Sequence, residues 1–145
     1  MTRKRIEVLL MGVLLLAVPA VATAFTASNG AVTDERTGLV WQQQDDGQYR
    51  PWVTAISYCE GLTLAGQSDW RLPNIKELDS ITDDSRVDPA IDPIFTAAKS
   101  TSYWSSTTYP GNSNVAWYVT FDGGGGSPNG VKGNYYYVRC VRGGQ

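Results

Sequence analysis

The chain has 145 residues, 42% of them hydrophobic, with 12 Lys and Arg against 14 Asp and Glu, a formal net charge of −2, two cysteines and no histidine. Without histidine, a Ser-His-Asp triad, a Cys-His dyad and a Cys/His zinc site are excluded, and two cysteines cannot build a four-sulfur site. The acidic balance argues against nonspecific nucleic-acid binding, which depends on clustered Lys and Arg neutralising phosphate.

Arg3, Lys4 and Arg5 precede an apolar run from Val8 to Val18, and Ala22-Thr23-Ala24 supplies small residues for cleavage. This is the layout of a secretory signal peptide over residues 1–24. Pro19 and the shortness of the run argue against a membrane span, which needs about 20 apolar residues. Arg3, Lys4, Arg5 and Glu7 leave with the signal, so residues 25–145 carry a formal charge of −4 and suit one domain. The expected location is secreted or periplasmic, with cell-surface association an option and no membrane insertion after cleavage. Phe25, not a cysteine, stands directly after the cleavage site, so no lipid anchor is expected. An even cysteine pair in an exported chain predicts a Cys59–Cys140 disulfide.

Val32-Thr33-Asp34 and Leu39-Val40-Trp41 read as short strands around the Thr37-Gly38 turn, and Asp45-Asp46-Gly47 marks another turn. Trp52, Ala55, Ile56 and Cys59 then recur at helical spacing between Pro51 and Gly61, which puts Cys59 on the buried face of a first helix. A second helix follows Asn74, whose side chain and that of Glu77 can complete a capping box, with Ile75, Leu78 and Ile81 facing the core. The acid- and proline-rich stretch from Asp83 to Pro93 predicts an exposed loop.

Beyond it, Tyr103 to Thr107, Val115 to Phe121 and Tyr135 to Arg142 read as strands, separated by the Pro110-Gly111-Asn112 turn and the Gly123 to Gly126 run. Alternation assigns Val115, Trp117, Val119 and Phe121 to one face and Ala116, Tyr118 and Thr120 to the other. In the last strand Tyr136, Val138 and Cys140 share a face, opposite Tyr135, Tyr137 and Arg139. A Cys59–Cys140 bond would turn the first of these faces toward the first helix. The fold class is α+β, two helices packed on small antiparallel sheets with long loops and one disulfide.

The segment from Thr33 to Trp41, the Trp52 to Cys59 helix, Asp69-Trp70-Arg71-Leu72-Pro73-Asn74 with Glu77-Leu78, Tyr103-Trp104-Ser105-Ser106-Thr107, and Val138-Arg139-Cys140-Val141-Arg142 together resemble the Lcl C-terminal-like family. That family comprises exported bacterial domains of largely unknown function, named after the end of a collagen-like adhesin. The resemblance covers essentially the whole chain after the signal. It implies a C-type lectin-like fold, similar to that of formylglycine-generating enzymes, with loops that display ligand-contacting residues. The adhesin domain is associated with sulfated polysaccharides, but this chain is acidic, whereas sulfate recognition wants clusters of Arg and Lys.

Aromatic faces cover the C–H face of a pyranose while short polar side chains bond its hydroxyls. On that ground the candidate ligand contacts are Tyr109, Asn112, Asn114, Tyr118, Asp122, Lys132, Asn134 and Tyr135, with Asn129 beside them. Turn building and cross-strand tyrosine pairing are the alternative duties of these residues. Trp41, Trp52, Trp70 and Trp104 are expected in the core, Arg71 in an ion pair with Glu77 or Asp79, and Arg139 and Arg142 on the surface. Asp79, Asp83, Asp84, Asp88 and Asp92 supply oxygen ligands without an EF-hand or lectin calcium spacing, so a solvated loop is the default and calcium the alternative. No cofactor is expected. Catalysis is not expected either: the paired cysteines lack the reactive thiolate of the formylglycine-generating relatives, and no spacing brings two of Glu35, Glu60, Glu77 and the aspartates together as a glycosidase pair. The reading is a noncatalytic binding module whose 103–137 surface takes a glycan or a cell-surface protein. The alternative is an assembly domain that self-associates as a homo-oligomer.

Overall fold

The computed structural model describes residues 24–123 and 128–144. The signal peptide reading therefore lies outside the described residues apart from Ala24, as does most of the Gly123 to Gly126 run. Among the described residues no helix is long and apolar enough to cross a membrane.

The fold is α+β. Strands β1 (Phe25–Ser28), β2 (Ala31–Asp34) and β3 (Val40–Gln42) lead to helices α1 (Trp52–Glu60) and α2 (Ile75–Asp79). Strands β4 (Ser102–Thr108), β5 (Val115–Thr120), β6 (Asn129–Val131) and β7 (Val141–Arg142) follow. They form two antiparallel sheets, ordered β1-β2-β3-β7 and β4-β5-β6. The β1–β2 hairpin turns on Asn29 and Gly30 at φ of 53° and 80°, the pair of positive dihedrals that a two-residue loop demands. Between β2 and β3 the Asp34 carboxylate accepts from the Arg36 amide at 3.0 Å, and the Asp34 amide donates to the Leu39 carbonyl at 2.8 Å.

Pro51, at φ −64°, sits at the N-cap of α1, and Gly61 closes the helix by donating to the Ser57 carbonyl. The α2 capping box is present: the Glu77 amide donates to Asn74 Oδ1 and the Asn74 amide to Glu77 Oε2, each at 2.9 Å. The disulfide joins Cys59, on the buried face of α1, to Cys140 immediately before β7, across 81 residues.

Both sheets lie between two cores. One gathers Val32, Trp41, Leu78, Ile81, Ile91, Phe95, Tyr103, Val119, Phe121 and Val141. The other gathers Ala31, Ala55, Cys59, Trp70, Leu72, Trp104, Ala116, Val138 and Cys140. Adjacent residues such as Tyr103 and Trp104 therefore face opposite cores, since successive strand side chains alternate. This corrects the expectation for β5: Val119 and Phe121 are buried as expected, but Ala116 is buried as well, and Tyr118 packs against the second core. Trp41, Trp70 and Trp104 are buried as expected; Trp52 is half-buried, its Nε1 donating to the Ser105 carbonyl at 2.8 Å.

Three further expectations are corrected. The long last strand contracts to Val141–Arg142, because Tyr136 and Tyr137 make only isolated bridges to Arg50 and Tyr103. The Asp83 to Pro93 loop is exposed from Asp84 to Asp88 but turns inward at Ala90 and Ile91, both 2% exposed, with the Ala90 amide donating to the Phe121 carbonyl at 2.7 Å. Arg139 is not a surface charge but is fully buried. Its guanidinium donates to the Gln42 and Gln43 carbonyls at 2.7 and 2.6 Å and to Asp45 Oδ2 at 3.2 Å. Burial pushes the Arg139 pKa down, against the opposing pull of Tyr103 and Asp45. Two strands, β1 and β6, appear where no strand is expected from sequence.

Candidate functional site

The β5–β6 pairing decides which candidate residues meet. Val115 lies opposite Val131, so the turn at Asn112 and Asn114 meets the turn at Lys132 and Asn134 at one end of the sheet. The Lys132 amide donates to the Asn114 carbonyl at 2.9 Å, and Asn112 Oδ1 accepts from the Asn114 amide at 2.9 Å, an Asx turn that fixes the loop. Asp122 follows the opposite end of β5, so it is not brought together with these four residues.

Several candidates are engaged in holding the fold. Lys132 Nζ donates to Thr108 Oγ1 at 2.9 Å and stands 3.8 Å from the Trp52 ring centroid, a cation–π contact. Tyr109 is half-buried, edge-on to Trp117 with centroids 5.3 Å apart. Tyr118 turns inward, 4.5 Å from Tyr136 and 6.2 Å from Trp104, so it is not part of an outer face. Burial, then the charge of Tyr136 and a hydrogen bond with it, push the Tyr118 hydroxyl pKa up. A Cβ on Gly130 would stand 2.8 Å from Tyr136 Oη and 3.2 Å from Tyr118 Cε1, so this tyrosine pair closes over a position that only glycine fills without a shift.

Asn112, Asn114, Asn129 and Asn134 remain exposed, and Asn134 Nδ2 donates to Tyr136 Oη at 3.1 Å. Tyr135 is 60% exposed, beside Tyr49 at 58%. Sequence reasoning passes over Tyr49 because it follows a polar stretch, Gln43 to Gln48, that carries no strand or helix period. Its one visible signal is an aromatic residue directly before the Arg50-Pro51 start of a helix.

Three aspartates of the acidic loop accept hydrogen bonds from neighbouring groups. Asp83 accepts from Ser85 and Arg86, Asp88 accepts from Ser100 Oγ at 2.6 Å, and Asp92 accepts from the Ile94 amide at 2.9 Å. Among the described residues no group of three or more His, Cys, Asp or Glu is placed to hold a metal ion. A cleft of 510 Å³ lies over this loop, between Arg86, Val87, Pro89, Ile91, Pro93 and Phe95.

Arg71 takes the first of its expected partners. Its guanidinium donates to both Glu77 oxygens at 2.8 and 2.7 Å and to the Gly143 carbonyl at 2.7 Å, tying α2 to the end of the chain. Arg142 is the surface charge expected, paired with Asp69 at 2.6 Å. Burial alone would raise the Glu77 carboxyl, but Arg71 and the Asn74 amide outweigh it and hold its pKa below the ordinary 4.5. A carboxylate with a depressed folded-state pKa stabilises fully above its unfolded value and loses that contribution as pH falls through the folded one. Stability should therefore decline from about pH 4.5 downward, and Glu77→Gln should flatten that decline while lowering stability at neutral pH. Denaturation midpoints of both proteins across the acid range check this; parallel curves would remove Glu77 as a source.

No curated protein matches the chain. The family model of the Lcl C-terminal domain matches residues 30–142, a span that contains both cysteines, both helices and every candidate contact. The chain belongs to the Lcl C-terminal domain family.

Proposed function

We propose that this chain is an exported, noncatalytic recognition module of C-type lectin-like fold that binds a glycan through the surface between residues 103 and 137. The reading is supported by family membership over most of the chain and by the two turns, Asn112–Asn114 and Lys132–Asn134, that meet at one end of the β4-β5-β6 sheet. The observation that carries it is Tyr135, an aromatic side chain 60% exposed and next in the chain to exposed Asn134. An exposed aromatic face is the surface on which the C–H side of a pyranose stacks. Preorganisation favours it further, because the Asx turn and the disulfide limit the ordering entropy lost on docking.

A glycan array probed with the oxidised protein, with calcium and again with chelator, tests the reading. Binding should survive chelation, and Tyr135→Ala should weaken it about fivefold to tenfold with an unchanged melting temperature. A blank array on folded protein would overturn the glycan reading in favour of a protein partner.

One observation favours self-assembly as a second reading. β1 is the outermost strand of its sheet, with three of its four residues exposed, and an unpaired strand edge can template pairing with another chain. Light scattering separates the readings: a defined oligomer without glycan binding supports assembly, and a monomer that binds glycan supports recognition.

A further inference from the structure

We propose that the glycan is held at the corner formed by Tyr49 and Tyr135, and that it is a neutral pyranoside of a soluble oligosaccharide. This rests on the glycan reading above and goes beyond it in naming a contact outside the 103–137 segment and a chemical class.

The corner is built and braced. Arg50 and Tyr136 form an isolated bridge, with the Arg50 amide donating to the Tyr136 carbonyl at 2.9 Å and the Tyr136 amide returning to the Arg50 carbonyl at 3.3 Å. That bridge sets the flanking residues side by side. The Tyr49 ring meets Tyr135 at 6.1 Å and 75°, and Tyr137 at 5.8 Å and 64°. Tyr137 in turn lies 5.6 Å from Tyr103, whose hydroxyl donates to buried Asp45 at 2.6 Å. Two exposed rings are thus backed by a half-buried one and anchored on a buried one, so little side-chain freedom remains to be lost when a ligand arrives.

The angle between the rings selects the ligand's shape. Coplanar rings would suit the flat face of an insoluble polysaccharide. Rings 75° apart instead make a corner, in which one face stacks on the C–H side of a single pyranose while the edge of the other ring flanks it.

The charges select its class. Arg50, next to the corner, is paired with Asp46 at 2.6 Å and lies 4.1 Å from the Tyr58 ring centroid. Lys132 is committed to Thr108 and Trp52, and Arg139 is buried against Asp45. Arg50 and Arg139 are paired with carboxylates and the Lys132 ammonium is held on Thr108 and Trp52, so a sulfated or carboxylated sugar finds no cluster of free cations in these segments, while a neutral one needs none.

Calorimetric titration of the oxidised full-length chain tests this, with the soluble hexasaccharides of β-1,4-glucose, β-1,4-N-acetylglucosamine and α-1,4-glucose as neutral probes. Heparin serves as the sulfated probe and microcrystalline cellulose pull-down as the flat one. The expected result is binding of at least one neutral hexasaccharide, unchanged between about 0.05 and 0.5 M salt. Tyr49→Ala and Tyr135→Ala should each weaken it about fivefold to tenfold, whereas Tyr49→Phe, which keeps the ring, should stay within about twofold. Both side chains are more than half exposed, and unchanged melting curves verify that the variants fold. Glycan binding that is indifferent to Tyr49→Ala would overturn the corner and leave the glycan reading standing. Binding restricted to heparin and abolished by salt would overturn the neutral class, retention on cellulose alone would overturn the soluble ligand, and silence with every saccharide would overturn both proposals.

Discussion

Replacing both Cys59 and Cys140 with alanine should cost the domain a large share of its stability. The bond spans 81 residues, and in the chain-entropy model a loop of that length constrains the unfolded chain by about 4.5 kcal/mol, within a practical range of about 2–5 kcal/mol for native disulfides. Domains of this size commonly have only about 5–15 kcal/mol in total. The cysteines are fully buried and belong to the second core with Ala55, Trp70, Trp104 and Val138, so alanine keeps the site apolar and the loss reads mainly as loss of the crosslink. The expected result is a urea midpoint shifted to markedly lower concentration, with a steeper slope because the uncrosslinked unfolded state exposes more surface. A loss below about 1 kcal/mol would show that the two cores hold α1 and the chain end together without the bond.

The features legible in the sequence are those that local chemistry decides. The Asn74–Glu77 capping box, the Pro51 and Gly61 limits of α1 and the Arg71–Glu77 pair each depend on residues within a few positions of one another, and each is present. The misread features depend on distant partners. Asn129-Gly130-Val131 carries a turn signal yet becomes β6, because Val115, Ala116 and Trp117 offer it an edge. Tyr118 reads as an outward residue because alternation marks two faces without saying that a second core covers the other one. Of the eight candidate contacts, Tyr109, Tyr118 and Lys132 are occupied by intramolecular partners, and Asp122 lies apart from the rest. Tyr49 joins Tyr135 through a bridge between segments 86 residues apart, Arg50 to Tyr136, which no local pattern announces.

Arg139 is the position where the surface expectation fails most consequentially, and Asp45→Ala should expose why. The Asp45 carboxylate accepts from Tyr103 Oη at 2.6 Å, from Arg139 at 3.2 Å and, on its other oxygen, from the Gly47 amide at 3.0 Å. Arg139 is fully buried, its guanidinium carbon 5.3 and 5.8 Å from the Phe95 and Tyr103 ring centroids, and its Nε has no hydrogen-bond partner among the described residues. Removing the carboxylate leaves that cation in the core with two carbonyls and two aromatic rings but no counter-charge, a change that costs about 3–5 kcal/mol where one partner of a buried pair is deleted. Adding Arg139→Met should return part of the loss, because an apolar side chain of similar length carries no charge to desolvate, and the double variant should be more stable than the sum of the two single losses predicts. Denaturant unfolding of the four proteins at neutral pH measures this coupling; additive losses would mean that Asp45 and Arg139 act independently despite their contact. The consequence reaches the surface. Tyr103 is held between Asp45 and Tyr137, so loosening it should also loosen the Tyr137, Tyr49 and Tyr135 rings. Under conditions where Asp45→Ala remains folded, it should therefore weaken saccharide binding without touching the ligand, through lost preorganisation of the corner.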